Sequence, residues 1–215
     1  MTLTERNQQL ALGCFGLLGI LAILIKVRFE PLMQLDHQWL TAFSSSALGQ
    51  HVRVWEWLTL AGSPLVTSGL AVVLALFLWR IRQYGWSLAT LTAIVTGDGL
   101  LLVIKTLVGR MRPLQQVVPD TGFSFPSGHV FSTALLVFII WTLITQWLGR
   151  SWLSGGVVTL TAIVLLGVLF ARLGLRDHYP SDVLGSLLLA GGWWLQIVSV
   201  LERLTKKQQQ KQMQD

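Results

Sequence analysis

Two polar stretches of the chain contain the side chains that are suited to chemistry. The first reads Lys-Thr-Leu-Val-Gly-Arg-Met-Arg-Pro at residues 105–113 and is followed, after a polar link, by Phe-Pro-Ser-Gly-His at residues 125–129. The second, at residues 172–182, contains an arginine, a histidine and an aspartate. Long apolar segments flank both stretches. Cationic side chains gathered beside a Pro-Ser-Gly turn predict an anion site at the rim of a membrane.

Both stretches lead into apolar segments with residues typical of helix starts. Pro180 suits an early helical position, which puts Asp182 in the first turn and His178 just outside it. A carboxylate placed there can orient the imidazole of His178 and fix its tautomer. In the same way Pro-Ser-Gly at residues 126–128 opens a helix, whose free backbone N–H groups and positive dipole end favour a phosphate.

Composition restricts the class of protein. The chain has 215 residues, of which 53% are hydrophobic and only 12% charged, and its mean hydropathy is +0.61. That is too apolar for an ordinary soluble domain. The net charge of +6 comes with no basic cluster outside the loops and the tail, so membrane lipids rather than nucleic acid are the expected partners. Cys14 is the single cysteine, which excludes a disulfide framework.

Several apolar segments are long enough to cross the hydrocarbon core of a bilayer, which takes roughly 20 residues. They predict one all-α membrane domain over residues 1–215, with six transmembrane helices at about 10–27, 57–79, 85–104, 130–148, 152–171 and 183–201. Pro64 predicts a kink in the second span. Tryptophans near span ends resemble an aromatic belt, whereas those inside spans are expected to pack, namely Trp141, Trp193 and Trp194.

The segment between the first two spans has a helical pattern of its own. Apolar residues at helical spacing alternate with a polar face, the first set being Leu32, Leu35, Trp39 and Phe43 and the second Gln34, Asp36, His37 and Gln38. This pattern predicts an amphipathic helix at the membrane interface. The polar tail after Arg203 is expected to fray.

An even number of spans places both termini on one side of the membrane and both polar stretches on the other. Lys and Arg divide evenly between the two faces. When Lys105, Arg112 and Arg172 are set aside as ligand-binding residues, the side that carries the termini has more of the remaining Lys and Arg residues, which favours cytoplasmic termini. The site is therefore expected to face the extracytoplasmic side.

The motifs together resemble those of the type 2 phosphatidic acid phosphatase family, in order, internal spacing and position at span ends. The matching residues are Lys105 with Arg112-Pro113, the tetrapeptide at residues 126–129, and Arg172 with His178 and Asp182. The family usually has serine where Ala171 stands, which puts one hydroxyl hydrogen bond in doubt. The resemblance implies hydrolysis of a lipid phosphate without a metal or another cofactor.

The resemblance also implies roles for individual residues. The histidine matching His178 attacks phosphorus to form a phosphohistidine, the aspartate matching Asp182 holds that ring, and the histidine matching His129 protonates the leaving oxygen and later activates water. The phosphoryl oxygens are bound by the residues matching Lys105, Arg112, Ser127, Gly128 and Arg172. Fixed cations and N–H donors suit a transition state whose charge is spread over equatorial oxygens. One histidine must be neutral and the other protonated, which predicts a bell-shaped pH profile.

Three alternatives remain open from the sequence. His129, His178 and Asp182 are a possible zinc ligand set, although the neighbouring cations would repel the metal. A lipid phosphotransferase would use the same motifs. An anion transporter would need basic residues at several depths, whereas here they gather at one rim. The motifs do not distinguish phosphatidic acid, phosphatidylglycerophosphate and a polyprenyl diphosphate as substrates, and they do not fix the oligomeric state.

Other polar residues have simpler interpretations. Arg110 and Arg176 could equally be membrane anchors or residues that bind the substrate. His37 and His51 are interpreted as incidental loop residues. Asp98 lies within a span and is a functional candidate for that reason. It is on nearly the same helix face as Lys105, roughly 10 Å away along the axis. We favour a structural partner role for Asp98.

Overall fold

The computed structural model describes residues 2–213, which form eight α-helices and no strands. The helices are α1 (Leu3–Lys26), α2 (Glu30–Ser45), α3 (Val52–Ala61), α4 (Pro64–Arg80), α5 (Tyr84–Val108), α6 (Gly128–Leu148), α7 (Trp152–Gly174) and α8 (Pro180–Gln212). Six stretches are long and apolar enough to cross a membrane, with α3 and α4 together forming one of them. The prediction of an all-α protein with six spans is confirmed.

The helix ends extend beyond the hydrophobic runs. The first helix begins at Leu3, because Thr2 Oγ1 accepts a hydrogen bond from Glu5 N and Glu5 Oε2 accepts one from Thr2 N. Such a reciprocal cap satisfies two otherwise free N–H groups. The last helix continues to Gln212, so the expectation that the polar tail frays was wrong over the described residues. There α1 packs on α8, and Thr4 Oγ1 donates to Glu202 Oε2 at 2.6 Å.

The second span is broken rather than kinked, which corrects the continuous helix expected at residues 57–79. α3 ends before Gly62, and Ser63 caps α4 by accepting a hydrogen bond from Val66 N at 3.4 Å. Pro64 occupies the first turn of α4, where its missing N–H costs nothing. The loop carbonyl is not left unpaired, since Thr133 Oγ1 donates to Gly62 O at 3.2 Å.

α3 packs closely on α7 through three glycines. A Cβ at Gly62 would lie 2.5 Å from Val168 Cγ2, and one at Gly174 would lie 2.6 Å from Trp55 Cδ1. A Cβ at Gly167 would lie 3.3 Å from Leu58. Only glycine permits the closest two of these approaches, which fixes α3 against α7.

α6 is the central helix, contacted by α4, α5, α7 and α8. Its buried residues include Phe131, Ala134 and Ile139. The tryptophans inside the spans pack as expected and also hydrogen-bond: Trp194 Nε1 donates to Thr142 Oγ1 at 2.7 Å and Trp141 Nε1 to Thr161 Oγ1 at 2.7 Å. Buried indole N–H groups usually find such partners.

The amphipathic helix between the first two spans is present as α2, but Asp36 of its predicted polar face is buried. Asp36 and Leu40 are buried, while Leu35 and Trp39 are 50% and 64% exposed. The helix therefore turns an aspartate inward and apolar side chains outward. The physical reason is ionic: Asp36 Oδ2 lies 2.6 Å from Arg110 Nη2, a cation from another part of the chain.

Candidate active site

Helix ends bring the residues of the three motifs together on one face of the bundle. Lys105 is in the last turn of α5, whose end is set by Gly109 in the left-handed conformation at φ 66°. Arg112 follows on the loop at residues 109–127, and Ser127 precedes α6. Arg172 is in the last turn of α7, and Asp182 is in the first turn of α8. Every motif residue is thus held at the end of a helix or beside one.

Arg112 is held by backbone carbonyl groups. Its Nε donates to Gly122 O at 3.1 Å, its Nη2 to Thr121 O at 3.0 Å and its Nη1 to Asp177 O at 3.2 Å. Nη1 also lies 3.2 Å from His178 Nε2. These contacts place the guanidinium group directly beside the imidazole. Arginine has no acceptor, so His178 Nε2 is the acceptor and carries a lone pair.

The tautomer of His178 follows from this contact. With Nε2 as the acceptor, the ring proton belongs to Nδ1, which lies 3.5 Å from Asp182 Oδ2. That separation is longer than a typical hydrogen bond, and Nδ1 has no hydrogen-bond partner among the described residues. Burial, together with the positive charges of Arg172 and Arg112, holds the pKa of His178 well below its ordinary value. The imidazole is therefore neutral, with Nε2 available as a nucleophile.

Arg172 is almost completely buried, with a relative exposure of 2%. Its Nη1 lies 3.0 Å from Asp177 Oδ2 and its Nη2 2.9 Å from Asp120 Oδ2. Burial raises the pKa of Asp177, although Arg172 opposes the shift. Asp120 shows the reverse balance: burial would raise its pKa, but Arg112 and Arg172 hold it below the usual range.

Asp120 joins the two arginines of the motifs. Its Oδ2 lies 3.0 Å from Arg112 Nη1 as well as 2.9 Å from Arg172 Nη2. One carboxylate oxygen thus occupies the position between the guanidinium groups where a phosphate oxygen would fit. Lys105 approaches the same loop from α5, with Nζ donating to Phe123 O at 2.7 Å.

His129 and Ser127 border the site from α6. His129 lines a cleft of about 380 Å³ together with Asp120, Arg172 and Asp177, and α3 supplies another wall through Glu56, Thr59 and Leu60. Ser127 is fully buried, and its Oγ has no hydrogen-bond partner among the described residues. The first N–H groups of α6 have no acceptor within their own helix. The arrangement supplies an acid–base side chain and neutral donors beside the arginines.

Gly128 is not required by packing. A Cβ at this position would lie 3.7 Å from Leu101 Cδ2 and 3.8 Å from Pro64 Cγ, which are ordinary contacts. The absence of a side chain there therefore does not relieve a clash within the protein.

Arg110 and Arg176 donate hydrogen bonds to residues that do not line this cleft. Arg110 Nη1 lies 2.8 Å from Asp182 Oδ1, while the other oxygen of this carboxylate, Oδ2, lies 3.5 Å from His178 Nδ1. Arg176 Nη1 donates to Ser44 Oγ at 2.7 Å and so ties the α7–α8 loop to the end of α2. Asp98 is half-buried at a small cavity that it shares with Thr67, Ser68 and Ser132.

Three acidic residues of the site were missed from the sequence: Asp36, Asp120 and Asp177. Asp177 adjoins His178 and could have been identified from that position alone. Asp36 and Asp120 gave no local signal. No group of three or more His, Cys, Asp or Glu side chains arranged to hold a metal ion occurs within residues 2–213.

The fold and the site together define a class: a multi-pass membrane protein that has a cluster of cations and two histidines at its helix ends. Residues 83–206 match the PAP2 superfamily. The matched segment covers more than half of the chain and includes all three motifs. The chain therefore belongs to the PAP2 superfamily and is a membrane phosphatase of that type, as the motif resemblance indicated.

Individual relatives agree with this assignment. The chain is 27% identical over 188 residues to a lipid A 4'-phosphatase of Bacteroides thetaiotaomicron, covering 77% of each chain. It is 40% identical over 90 residues to phosphatidylglycerophosphatase B of Haemophilus influenzae, a match that spans 41% of this chain and 35% of that protein. The crystal structure of a transmembrane PAP2-type phosphatidylglycerolphosphate phosphatase from Bacillus subtilis superposes with a TM-score of 0.79 at 23% identity, over 90% of this chain and 96% of that one. This last likeness concerns the fold.

Proposed function

We propose that the protein hydrolyses the terminal phosphate of a bilayer lipid through a phosphohistidine formed on His178. The observation that carries the proposal is the environment of His178 Nε2, a lone-pair nitrogen that lies 3.2 Å from Arg112 Nη1. A nucleophile in this position lies close to the phosphorus atom of a phosphoryl group whose oxygens are bound by the guanidinium group of Arg112. Fixed cations aimed at the oxygens stabilise the transition state without reorganisation.

The proposed reaction has two steps. Nε2 of His178 forms a bond to phosphorus while the bond from phosphorus to the leaving oxygen breaks, and His129 gives that oxygen its proton. Water then attacks the phosphohistidine, giving its proton to His129, and inorganic phosphate and free His178 are released. Asp182 stabilises the positive charge that the ring acquires, in the way that a carboxylate beside an imidazole does in other nucleophilic enzymes.

Lys105, Arg112 and Arg172 bind the phosphoryl oxygens in this proposal, together with Ser127 Oγ and the N–H groups at the start of α6. Phosphate at a helix N-terminus gains from both the free donors and the helix dipole. Because these groups neutralise the phosphate, the proposed reaction needs no metal ion.

A lipid is the proposed substrate because the site lies at the ends of apolar helices. The side chains on the outer faces of the spans are exposed and apolar, such as Leu102, Leu107 and Leu166. A lipid could therefore keep its chains in the bilayer and present only its headgroup to the cleft. The named activities of the relatives also concern lipids that carry a phosphate. The site is proposed to face the extracytoplasmic side, with cytoplasmic termini.

The test is phosphate release by purified protein in detergent with chelator present. The panel comprises phosphatidic acid, phosphatidylglycerophosphate, a polyprenyl diphosphate and a phosphorylated saccharide lipid. We expect release from at least one lipid, its loss in His178→Ala, and retention in His51→Ala, an exposed histidine outside the site. Release that requires metal would exclude the metal-free reaction, and transfer of phosphate to an added alcohol without release would instead indicate a phosphotransferase.

A further inference from the structure

α2 reaches the first turn of α8 through one buried carboxylate. Asp36 has a relative exposure of 2%. Its Oδ1 accepts a hydrogen bond from Ser181 N at 2.9 Å, and its Oδ2 accepts one from Ser181 Oγ at 2.5 Å. The backbone N–H of Ser181 is one of the groups that α8 cannot satisfy within its own first turn. Asp36 therefore caps α8 from a different helix.

Arg110 connects Asp36 to the carboxylate of the site. Its Nη2 lies 2.6 Å from Asp36 Oδ2 and its Nη1 2.8 Å from Asp182 Oδ1. The ring of Tyr179 lies under the guanidinium group, with a distance of 4.0 Å from Arg110 Cζ to the ring centroid. Both ends of the planar fork and one of its faces are thus in contact, which leaves it a single orientation.

The two oxygens of Asp182 are fixed by different partners. Oδ1 accepts from Arg110 Nη1, while Oδ2 accepts from Tyr179 N at 2.8 Å and faces His178 Nδ1. Rotation of the carboxylate would break one of these bonds. The position of the oxygen that faces the imidazole therefore depends on Arg110, and the position of Arg110 depends on Asp36.

We propose that Asp36 and Arg110 are positioning residues for the reaction, acting on His178 through Asp182. The inference rests on the proposed function, because it takes His178 as the nucleophile. The hydrogen bonds of the Arg110 guanidinium in the described part of the chain go to Asp36, Ser181, Asp182 and the sulfur of Met33, none of which lines the cleft. Substrate binding and nucleophile orientation are consequently separable by mutation.

The first test replaces the charge of Asp36 while keeping its shape. In Asp36→Asn the amide nitrogen or oxygen must face Arg110, so Arg110 loses a charged acceptor and its hold on Asp182 weakens. We expect kcat to fall by roughly 10- to 100-fold, as small misplacements of reacting groups do. KM should change by less than about threefold, because the groups that bind phosphate are untouched. Asp36→Glu should recover part of kcat.

The matched control is Glu30→Gln, which removes a carboxylate from the same helix. Glu30 is exposed, and its side chain accepts from Gln34 Nε2 at 3.0 Å and from no other residue among those that the structure describes. This variant should retain both kcat and KM. Thermal unfolding in detergent is measured for every variant, so that a loss of folded protein is not counted as a loss of turnover.

Arg110→Lys tests the positioning role if Asp36→Asn does not fold. Lysine keeps the charge, but a single ammonium group cannot donate through a planar fork to Asp36 and Asp182 together. We expect a folded protein with the same selective loss of kcat. Wild-type kcat in folded Arg110→Lys or Asp36→Asn, or a raised KM with unchanged kcat, would overturn the inference.

The two proposals fail in different ways. If the wild-type protein releases no phosphate from any lipid, or His178→Ala still does, the proposed function fails and this inference with it. If His178→Ala is inactive while Asp36→Asn and Arg110→Lys turn over at the wild-type rate, only the positioning role is wrong.

Discussion

The Oδ2 atom of Asp120 lies 2.9 Å from Nη2 of Arg172, and the same oxygen is 3.0 Å from Arg112. A carboxylate of the chain itself thus occupies the space between the two guanidinium groups that are proposed to bind phosphate. A substrate phosphate must displace this carboxylate or share the arginines with it.

Neutralising Asp120 should strengthen phosphate binding. In Asp120→Asn the arginines lose a competing anion, and partly exposed ion pairs of this kind contribute up to about 1 kcal/mol. We expect KM to fall by roughly two- to fivefold and inorganic phosphate to inhibit more strongly by a similar factor. Steady-state kinetics with added phosphate measure both effects.

Glu56→Gln is the control for Asp120→Asn, since Glu56 lines the same cleft from α3. It should leave KM and phosphate inhibition close to the wild-type values. If Asp120→Asn instead abolishes kcat, Asp120 takes part in the reaction and does not merely compete with the substrate.

Removing the Arg172 guanidinium group should cost both stability and activity, for separable reasons. Arg172→Met leaves the buried carboxylate of Asp177 without its cation, and breaking a buried pair from one side costs about 3–5 kcal/mol. Adding Asp177→Asn removes that unpaired charge and should restore much of the lost stability. Activity should remain low in both variants, because both lack the Arg172 guanidinium group that is proposed to bind the phosphate.

Thermal unfolding and phosphate release, measured on the two Arg172 variants and on Asp177→Asn alone, test this separation. Full activity in the double variant would show that Arg172 serves the fold and not the substrate.

Gly128→Ala should fold normally but bind substrate poorly. The nearest protein atoms to the new methyl group would be 3.7 Å away, so the unfolding midpoint should stay close to that of the wild type. A phosphate bound against the start of α6 would meet the methyl group, and KM should rise by about tenfold or more, which corresponds to about 1.4 kcal/mol of binding energy.

The contrasting variant is Gly97→Ala, where the added Cβ would lie 2.9 Å from Phe131 Cζ. This change should lower the unfolding midpoint, since overpacking a core typically costs about 1–3 kcal/mol. If Gly128→Ala has wild-type KM, the phosphate does not approach the start of α6 in the proposed way.

The buried, neutral state of His178 predicts an acid-dependent loss of stability. An unfolded histidine has a pKa of about 6.5, whereas the pKa of folded His178 is held well below that value by burial and by Arg172 and Arg112. As the pH falls below about 6.5, the unfolded chain binds a proton that the folded protein does not, so the free energy of unfolding decreases. Above that pH both states are neutral at this residue and the dependence disappears.

Unfolding midpoints of wild type, His178→Gln and His51→Gln between about pH 8 and about pH 5 test this effect. The wild type and His51→Gln should lose stability more steeply than His178→Gln on the acid side. Equal slopes for all three proteins would contradict a depressed pKa at His178.

Local sequence patterns predicted the helices, because helices depend on short-range features, and the even number of spans then predicted that the two polar stretches lie on the same side. Hydropathy identifies a span from its own residues, and Pro180 marks the start of α8 regardless of what packs against it. The same reasoning failed for Asp36, which a periodicity argument assigns to a polar face. Its burial depends on Arg110, a residue of a distant segment, and no local pattern reports that a cation will be available there.

The contacts of Asp120 were likewise beyond local inference. The residue lies in an irregular loop whose path is set by hydrogen bonds from Arg112 to carbonyl groups of Thr121 and Gly122. The break between α3 and α4 was only partly predictable from the sequence. Pro64 suggested a bend, but the separation into two helices also required Gly62 to pack against Val168. Such a contact depends on the tertiary structure and not on the segment alone.

The glycine contacts between α3 and α7 set the distance between two parts of the cleft. α3 contributes Glu56, Thr59 and Leu60 to one wall, and α7 carries Arg172. Gly62 and Gly174 hold these helices at distances that no larger residue permits, so a larger side chain at either position would move the wall away from the arginine. The opposite side of the cleft is lined by Val118, Pro119 and Asp120 of the loop at residues 109–127. Variation in that loop would change the shape of the cleft, and would leave Arg172 paired with the loop only where Asp120 is kept.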